Sequence, residues 1–299
     1  MKPASFDYHR PDTVEDAVAL LAELGDEAKI IAGGQSLVPM LAMRLAYFDH
    51  LIDISRLSEL RGIERRGDEL WIGAGTTEST VGADAQVRQS VPLLTRATPF
   101  VGHFQIRNRG TLGGSIAHAD AAGEYPAAAL ALDSVMEVLS PRGRREIAAA
   151  DFFAGLWETT MEPDEVLTGV RFPVWDGRSG FSVQEFARRH GDFAIAGALV
   201  AVQLDDGDRV SRCGIGLLGL GPTVGRATAA EAAVIGKPVG ELVPEEIGRA
   251  AMTGLDDVPT DLQGSAAYRT QVGATMVARA WTQALNEATA EALGETSHA

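Results

Sequence analysis

The chain has 299 residues, too many for one average compact domain, and its 45% apolar content is enough to bury a sizeable core. A formal net charge of −15 disfavours nucleic acid and anionic membranes as partners. The single cysteine, Cys213, excludes an intrachain disulfide framework, and it excludes an iron–sulfur cluster ligated by this chain alone, since such clusters take about four thiolates.

The opening stretch MKPASFDYHRPDTVEDA has no apolar signal-peptide core. No apolar run reaches the ~18–20 residues of a membrane span, so a cytoplasmic protein without a span is expected. DTVEDAVALLAEL predicts an amphipathic helix, with Thr13 as N-cap, Asp16 completing a carboxylate form of the capping box, and Gly25 as the stop. AKIIA (28–32) is a short apolar strand running into Gly33-Gly34. Ser36 is placed to cap a short helix over LVPMLAMRL, and HLIDIS (50–55) is a second strand, giving a small β–α–β unit. A new run begins with DELWIGAGTTEST (68–80), a strand ending in Gly-x-Gly. VPLLTRATPFVG (91–102) reads as helical, QIRNRGTLGGSIAHAD (105–120) as a glycine-rich turn region with short extended pieces, and EYPAAALALD (124–133) as a helix. A hairpin over 134–153 and a strand over 164–174 follow.

WDGRSG (175–180) is the best linker candidate. Beyond it, FSVQEFARR, AIAGALVAVQL and VSRCGIGLLGLG predict a three-stranded antiparallel sheet, its last two strands joined by the Asp-Gly turn DDGD. About three helices complete the chain, the last over 265–293. Runs of strands followed by runs of helices make the fold class α+β, with a first domain over 1–175 (subdomains about 1–57 and 58–175) and a second over 176–299.

Two stretches share one grammar: KIIAGGQSLVPM (29–40) and GTLGGSIAHAD (110–120). Neither glycine pair is flanked at once by Lys or Arg, so an anion held there must be met by backbone N–H groups. Glycine lets a ligand approach the backbone with no Cβ in the way. Ser36, Thr111 and Ser115 add hydroxyls beside those amides. A lone Gly-Gly-x-Ser is more often a capped turn, and neither stretch is a G-x-G-x-x-G dinucleotide fingerprint. Residue chemistry therefore goes as far as a nucleotide-sized anionic ligand.

KIIAGGQSLVPMLAMRL with LIDISRL, QIRNRGTLGGSIAHADAAGEYPAAALAL, and ARRHGDFAIAGALVAV together resemble the FAD-binding medium subunit of the molybdenum hydroxylases, the carbon-monoxide dehydrogenase and xanthine dehydrogenase relatives. The resemblance runs from Phe6 to about Trp281. It implies a two-subdomain FAD-binding domain of the vanillyl-alcohol-oxidase type followed by a small flavoprotein domain. It implies that Ala32, Gly33, Gly34, Gln35, Ser36 and Leu37, with Thr111, Gly113, Gly114 and Ser115, hold the FAD pyrophosphate. Asp120 and Glu124 would lie near the adenosine ribose, and Phe193 against the flavin ring. The chain departs from the pattern at Ala121, where relatives often carry Pro, and at Glu124, commonly Asp. It also departs at Phe193, a tyrosine in some relatives, and at Glu185, where a basic residue is expected in some relatives.

The implied function is electron transfer: FAD on this chain accepts electrons from a small [2Fe–2S] subunit, fed by a large molybdopterin subunit, and passes them to an external acceptor. The assembly implied is a dimer of heterotrimers. No catalytic residue and no metal ligand are assigned to this chain. The alternatives are a self-sufficient FAD-dependent oxidase or reductase of the same fold, and a non-catalytic nucleotide-binding assembly subunit. Cys213 reads as a small buried hydrophobe, Trp157 and the other three tryptophans as core or interface, and His118 as a local turn contact. Arg107 and Arg109 read equally as steering charges or as ordinary solvated arginines.

Overall fold

A computed structural model describes residues 2–295, with side chains described through residue 290. Position 1 and positions 296–299 of the ranges above lie outside the described residues. The first sheet is parallel, with strands β1 (Asp7–His9), β2 (Ala28–Ile31) and β3 (His50–Asp53) in the order β1-β3-β2. The helix Val14–Leu24 connects β1 to β2. Thr13 Oγ1 accepts the Asp16 N–H at 3.0 Å and Glu59 Oε1 accepts the Val14 N–H at 2.6 Å, which satisfies two of the helix's free amides. Val14, Ala17, Val18 and Leu21 then bury against Ile52 and Ile54. Strand β1 escaped the sequence reading because Asp-Tyr-His has no apolar alternation; pairing with β3 makes it a strand.

The second sheet holds β4 (Ile63–Arg66), β5 (Glu69–Gly73), β6 (Val135–Ser140) and β7 (Gly143–Ala148). A ribbon of β8 (Phe153–Gly155) and β9 (Glu158–Thr159) leads to β10 (Val166–Pro173), which inserts between β5 and β6 to give the antiparallel order β4-β5-β10-β6-β7. Six helices fill the interval from β5 to β6. Two of them, Phe104–Arg107 and Leu112–His118, correct the expectation of extended pieces over 105–120. Glycine disfavours a helix by about 1 kcal/mol. Here Thr111 caps the second helix by accepting the Gly114 N–H at 3.0 Å, and Gly113 packs so closely on Ala74 that any Cβ would overlap that residue. Tertiary contact overrides propensity.

The third sheet is antiparallel: β11 (Ser179–Phe186), β12 (Ala196–Leu204), β13 (Val210–Leu218) and β14 (Gly225–Arg226). Three strands were expected; the fourth has two residues, too short for any pattern to announce. In the turn before β13, Asp205 Oδ1 accepts the N–H groups of Gly207 and Arg209, both at 2.9 Å. The helices Thr228–Val234, Pro244–Ala251 and Ala266–Glu295 cover this sheet and bury Met276, Val277 and Trp281 with its apolar residues. The fold is α+β.

The segment expected to be a linker, 175–180, is anchored at its start. Trp175 is buried, and the Arg212 guanidinium lies over its ring at 4.1 Å. Arg96 grips Glu287 through two bonds of 2.5 Å, tying the helix Pro92–Ala97 to the last helix. Gly219, just beyond β13, donates to the Ala121 carbonyl at 2.8 Å, fixing the turn that carries Asp120. Among the described residues, no helix is long and apolar enough to cross a membrane.

Candidate functional site

The first glycine turn leaves β2 at Ala32 and enters the helix Leu37–Met43. Gly34 has φ +71°, the left-handed region that glycine enters without strain. Gln35 Nε2 donates to the Gly33 carbonyl at 2.8 Å, so Gln35 shapes the turn. Ser36 does not cap the helix; its own backbone is helical (φ −98°, ψ −47°), which turns the hydroxyl away from the capping position. Among the described residues, the N–H groups of Gly33, Gly34, Gln35, Ser36 and Leu37 find no acceptor. Five consecutive unpaired donors are costly unless water or a ligand meets them.

The second turn faces the first. A side chain at Gly33 would overlap the Arg109 carbonyl and the Gly110 Cα, and Gly114 points its missing Cβ at Ala32, at 3.8 Å. Its amides are already used: Leu112 donates to the Thr76 carbonyl at 3.0 Å, Gly113 to Ala74 at 2.9 Å, Ser115 to the Thr111 carbonyl at 3.0 Å, and Gly114 to the Thr111 hydroxyl. The hydroxyls of Ser36 and Ser115 have no partner among the described residues.

Where the turns meet they floor a cleft of about 690 Å³, within the range of small-molecule and cofactor sites. All of the expected site residues line it: Ala32, Gly33, Gly34, Gln35, Ser36, Leu37, Thr111, Gly113, Gly114, Ser115, Asp120, Glu124 and Phe193. Phe193 is 66% exposed at the rim, following Gly191, whose backbone packs against the His103 ring. Glu185 is not among the lining residues. Arg107 donates to the carbonyls of Val101 and Gly102 at 3.0 and 2.8 Å, so it braces the rim. Lys29 is the one Lys or Arg among the described lining residues, which leaves the amide run as the main feature able to meet an anion.

The opposite wall is acidic. Glu78 is 5% exposed and its Oε2 has no hydrogen-bond partner among the described residues; burial, then the neighbouring Glu124, push its carboxyl up to about 8, with Arg107 opposing. Burial pushes Glu124 up to about 7, opposed by its own backbone amide and reinforced by Asp120. Glu185, behind Glu124, is pushed up to about 8 by burial and by Glu124. Burial also lowers His118, keeping its imidazole neutral near pH 7, while Asp120 pulls the other way.

Two lining residues had no sequence signal. Glu78 follows Thr77, whose hydroxyl caps a six-residue helix, and nothing in TTEST marks a buried acid. Trp157 stands at the turn of the β8–β9 ribbon with φ +57° and is 51% exposed. Its indole N–H donates to Asp120 Oδ2 at 3.1 Å and its ring stacks on His118, with centroids 6.1 Å apart. The Asp120 carboxylate also accepts the Ala122 N–H at 2.9 Å. Cys213 is buried in β13, and no cluster of three or more metal-ligating side chains occurs among the described residues.

An α+β body whose two glycine turns floor a long cleft with unpaired amides defines a protein that binds a nucleotide-sized anion. Residues 4–175 match the family described as the FAD binding domain in molybdopterin dehydrogenase, and residues 181–284 match the CO dehydrogenase flavoprotein C-terminal domain. The chain is 43% identical over 288 residues to the 6-hydroxypseudooxynicotine dehydrogenase complex subunit alpha of Paenarthrobacter nicotinovorans, covering 96% of this chain and 97% of that one. It is 38% identical to the carbon monoxide dehydrogenase medium chain of Hydrogenophaga pseudoflava, covering 94% and 97%. A solved structure of carbon monoxide dehydrogenase from that organism superimposes with a TM-score of 0.92 over 96% of this chain and 99% of that one, at 40% identity. Quinoline 2-oxidoreductase from Pseudomonas putida 86 gives 0.89 at 34% identity, covering 96% and 99%. The chain belongs to the family of FAD-binding flavoprotein subunits of molybdopterin dehydrogenases.

Proposed function

We propose that this chain is the FAD-binding subunit of a heterotrimeric molybdenum hydroxylase, accepting electrons from a [2Fe–2S] subunit and passing them through FAD to an external acceptor in the cytoplasm. The observation that carries this reading is the run of unpaired amides from Gly33 to Leu37 on the floor of a dinucleotide-sized cleft. Bound there, FAD supplies the redox chemistry, and the chain supplies position and electrostatics. In this reading residues 1–175 form the FAD-binding domain, with lobes of about 1–57 and 58–175, and 176–299 the C-terminal domain. Ala32, Gly33, Gly34, Ser36 and Leu37 hold the diphosphate, and Gln35 keeps the turn in shape. Thr111, Gly113, Gly114 and Ser115 close the other side, Asp120 and Glu124 serve the ribose, and Phe193 meets the ring at the rim.

One cysteine cannot ligate an iron–sulfur cluster, so in this reading the clusters that feed the FAD lie on another chain. Relatives named as a medium chain and as a complex subunit support a large molybdopterin subunit and a small iron–sulfur subunit beside it, in a dimer of heterotrimers. The test is to isolate the native particle and measure its FAD, iron and molybdenum. One FAD on this chain, migrating with iron and molybdenum, is the expected result. A correctly folded chain that cannot take up FAD overturns the reading. So does a lone FAD-loaded chain that oxidises an organic substrate with oxygen.

A further inference from the structure

Glu78 and Glu165 are the two buried carboxyls in the wall of the cleft; Glu165 is paired with Arg145, and Glu78 has no such partner among the described residues. Its helix starts at its own position, and its N–H donates to the Gly110 carbonyl at 2.9 Å, so the second glycine turn fixes its backbone. A Cβ at Gly110 would collide with the Glu78 carboxyl; the glycine is what leaves room for that group. The carboxyl is thus held in place by packing, yet its Oε2 has no partner and the residue is 5% exposed. A buried polar group without a partner costs roughly 1–3 kcal/mol, so its place on the wall of the cleft points to a partner that arrives with the ligand.

The charged and titratable groups facing it come from two helices. Glu124, at the start of the helix Glu124–Ala131, repels a negative charge on it. Arg107, on the helix Phe104–Arg107, favours that charge, but its guanidinium is engaged by the Val101 and Gly102 carbonyls. Tyr125 is fully buried, and its hydroxyl pairs with Thr98 Oγ1 at 2.8 Å. Among the described residues no cation is paired with Glu78, so burial favours the neutral acid. A neutral carboxylic acid is a hydrogen-bond donor, which a carboxylate is not.

We propose that Glu78 is an FAD-contacting residue held as a neutral carboxylic acid, donating a hydrogen bond to an uncharged acceptor of FAD. FAD binding then requires the proton on Glu78, and affinity falls as that proton is lost. The direction agrees with the raised carboxyl, whose loss of a proton is centred near pH 8. The inference rests on FAD being the ligand, and its test separates the two claims.

FAD dissociation constants would be measured from pH 6.5 to 9.5 for the apoprotein, E78Q and E78L, with melts confirming that each variant folds. For the native chain the constant should rise above pH 8, approaching tenfold per pH unit as one required proton is lost. E78Q keeps a donor and cannot ionise, so its affinity should match the native chain at pH 6.5 and lose that one-proton dependence. E78L should bind roughly 3–10-fold more weakly at pH 6.5, the value of one net hydrogen bond. Calorimetry of the native chain in two buffers of different ionisation enthalpy should show proton uptake on FAD binding at pH 8.5, a reading that needs no variant. Identical pH profiles for the native chain and E78Q, full affinity in E78L at pH 6.5, or no proton uptake each overturn the inference while leaving FAD as the ligand. Failure of the native chain to bind FAD at any pH overturns the functional reading itself.

Discussion

The two glycine turns are written alike and built for opposite purposes. In the first, from Ala32 to Leu37, glycine opens the backbone, and five amides are left without acceptors. In the second, from Gly110 to Ser115, glycine closes the structure. Gly113 lies on Ala74, Gly110 makes room for Glu78, and the amides from Leu112 to Ser115 are all spent inside the protein. The first turn offers donors; the second offers a flat, braced surface with hydroxyls. A glycine pair beside a serine therefore reports close approach of something, and only the hydrogen-bond ledger says whether that something is a ligand or the protein itself.

The largest test of this contrast is Gly33→Val. From sequence alone such a change should empty the site and spare the fold. The structure predicts more, because any Cβ at Gly33 overlaps the Arg109 carbonyl and must pry the turns apart. The apoprotein should lose about 2–4 kcal/mol in denaturant unfolding along with its flavin absorbance. Gly114→Ala should cost less, about 1 kcal/mol, since its Cβ would press at 2.9 Å only on the Thr111 hydroxyl that caps its own helix and would meet Ala32 at 3.8 Å. Equal unfolding free energies for both variants would mean the turns do not bear on each other as described.

The second test is pH. Gly110, in the second turn, rests on the Glu78 carboxyl, whereas the first turn rests on no titrating group described here. Glu78 is raised from the ordinary glutamate value of about 4.3 to about 8, so between those values the folded chain holds a proton that the unfolded chain has released. Its contribution to stability is fully present below the unfolded value and is lost as pH rises through 8. Glu124, raised to about 7, and Glu185, raised to about 8, act in the same direction. Apoprotein stability should therefore fall from pH 5.5 to 8.5, by on the order of 1–3 kcal/mol from Glu78, and E78Q should flatten the curve by that share. A native curve that rises over this interval would contradict the buried neutral acids.

Much of this was legible beforehand, for identifiable reasons. The helix Val14–Leu24 was readable because its cap, its apolar face and its stop are all local, and the β12–β13 hairpin because Asp-Gly punctuates two apolar runs. The two turns were readable as a pair. Their division of labour was not, because it depends on Thr76 and Ala74 accepting the amides of Leu112 and Gly113 from 35 or more residues away. The same holds for Glu78 and Trp157: a buried acid and a tryptophan at φ +57° are fixed by what the fold brings beside them, Gly110 in one case and Asp120 with His118 in the other. Strand β1 and the helix Leu112–His118 were missed because tertiary contacts outweigh weak local preference there.

The finest test uses hydroxyls alone. Thr111→Val removes the cap on Gly114 and should cost about 1 kcal/mol of stability, because the Thr111 side chain belongs to the protein's own bonding. Ser36 has no such employment: it caps nothing and stands beside the unpaired amides. Ser36→Ala should leave the melting curve unchanged and weaken FAD binding roughly 3–10-fold, the value of one net hydrogen bond. Ser115→Ala should also leave the melt unchanged, since its hydroxyl has no partner, but it should weaken FAD less, because the amide beside it is already paired with Thr111 and adds nothing to an anion. Equal losses at Ser36 and Ser115 would mean that both turns grip the diphosphate alike, and that the amides paired in this structure exchange their partners for the ligand.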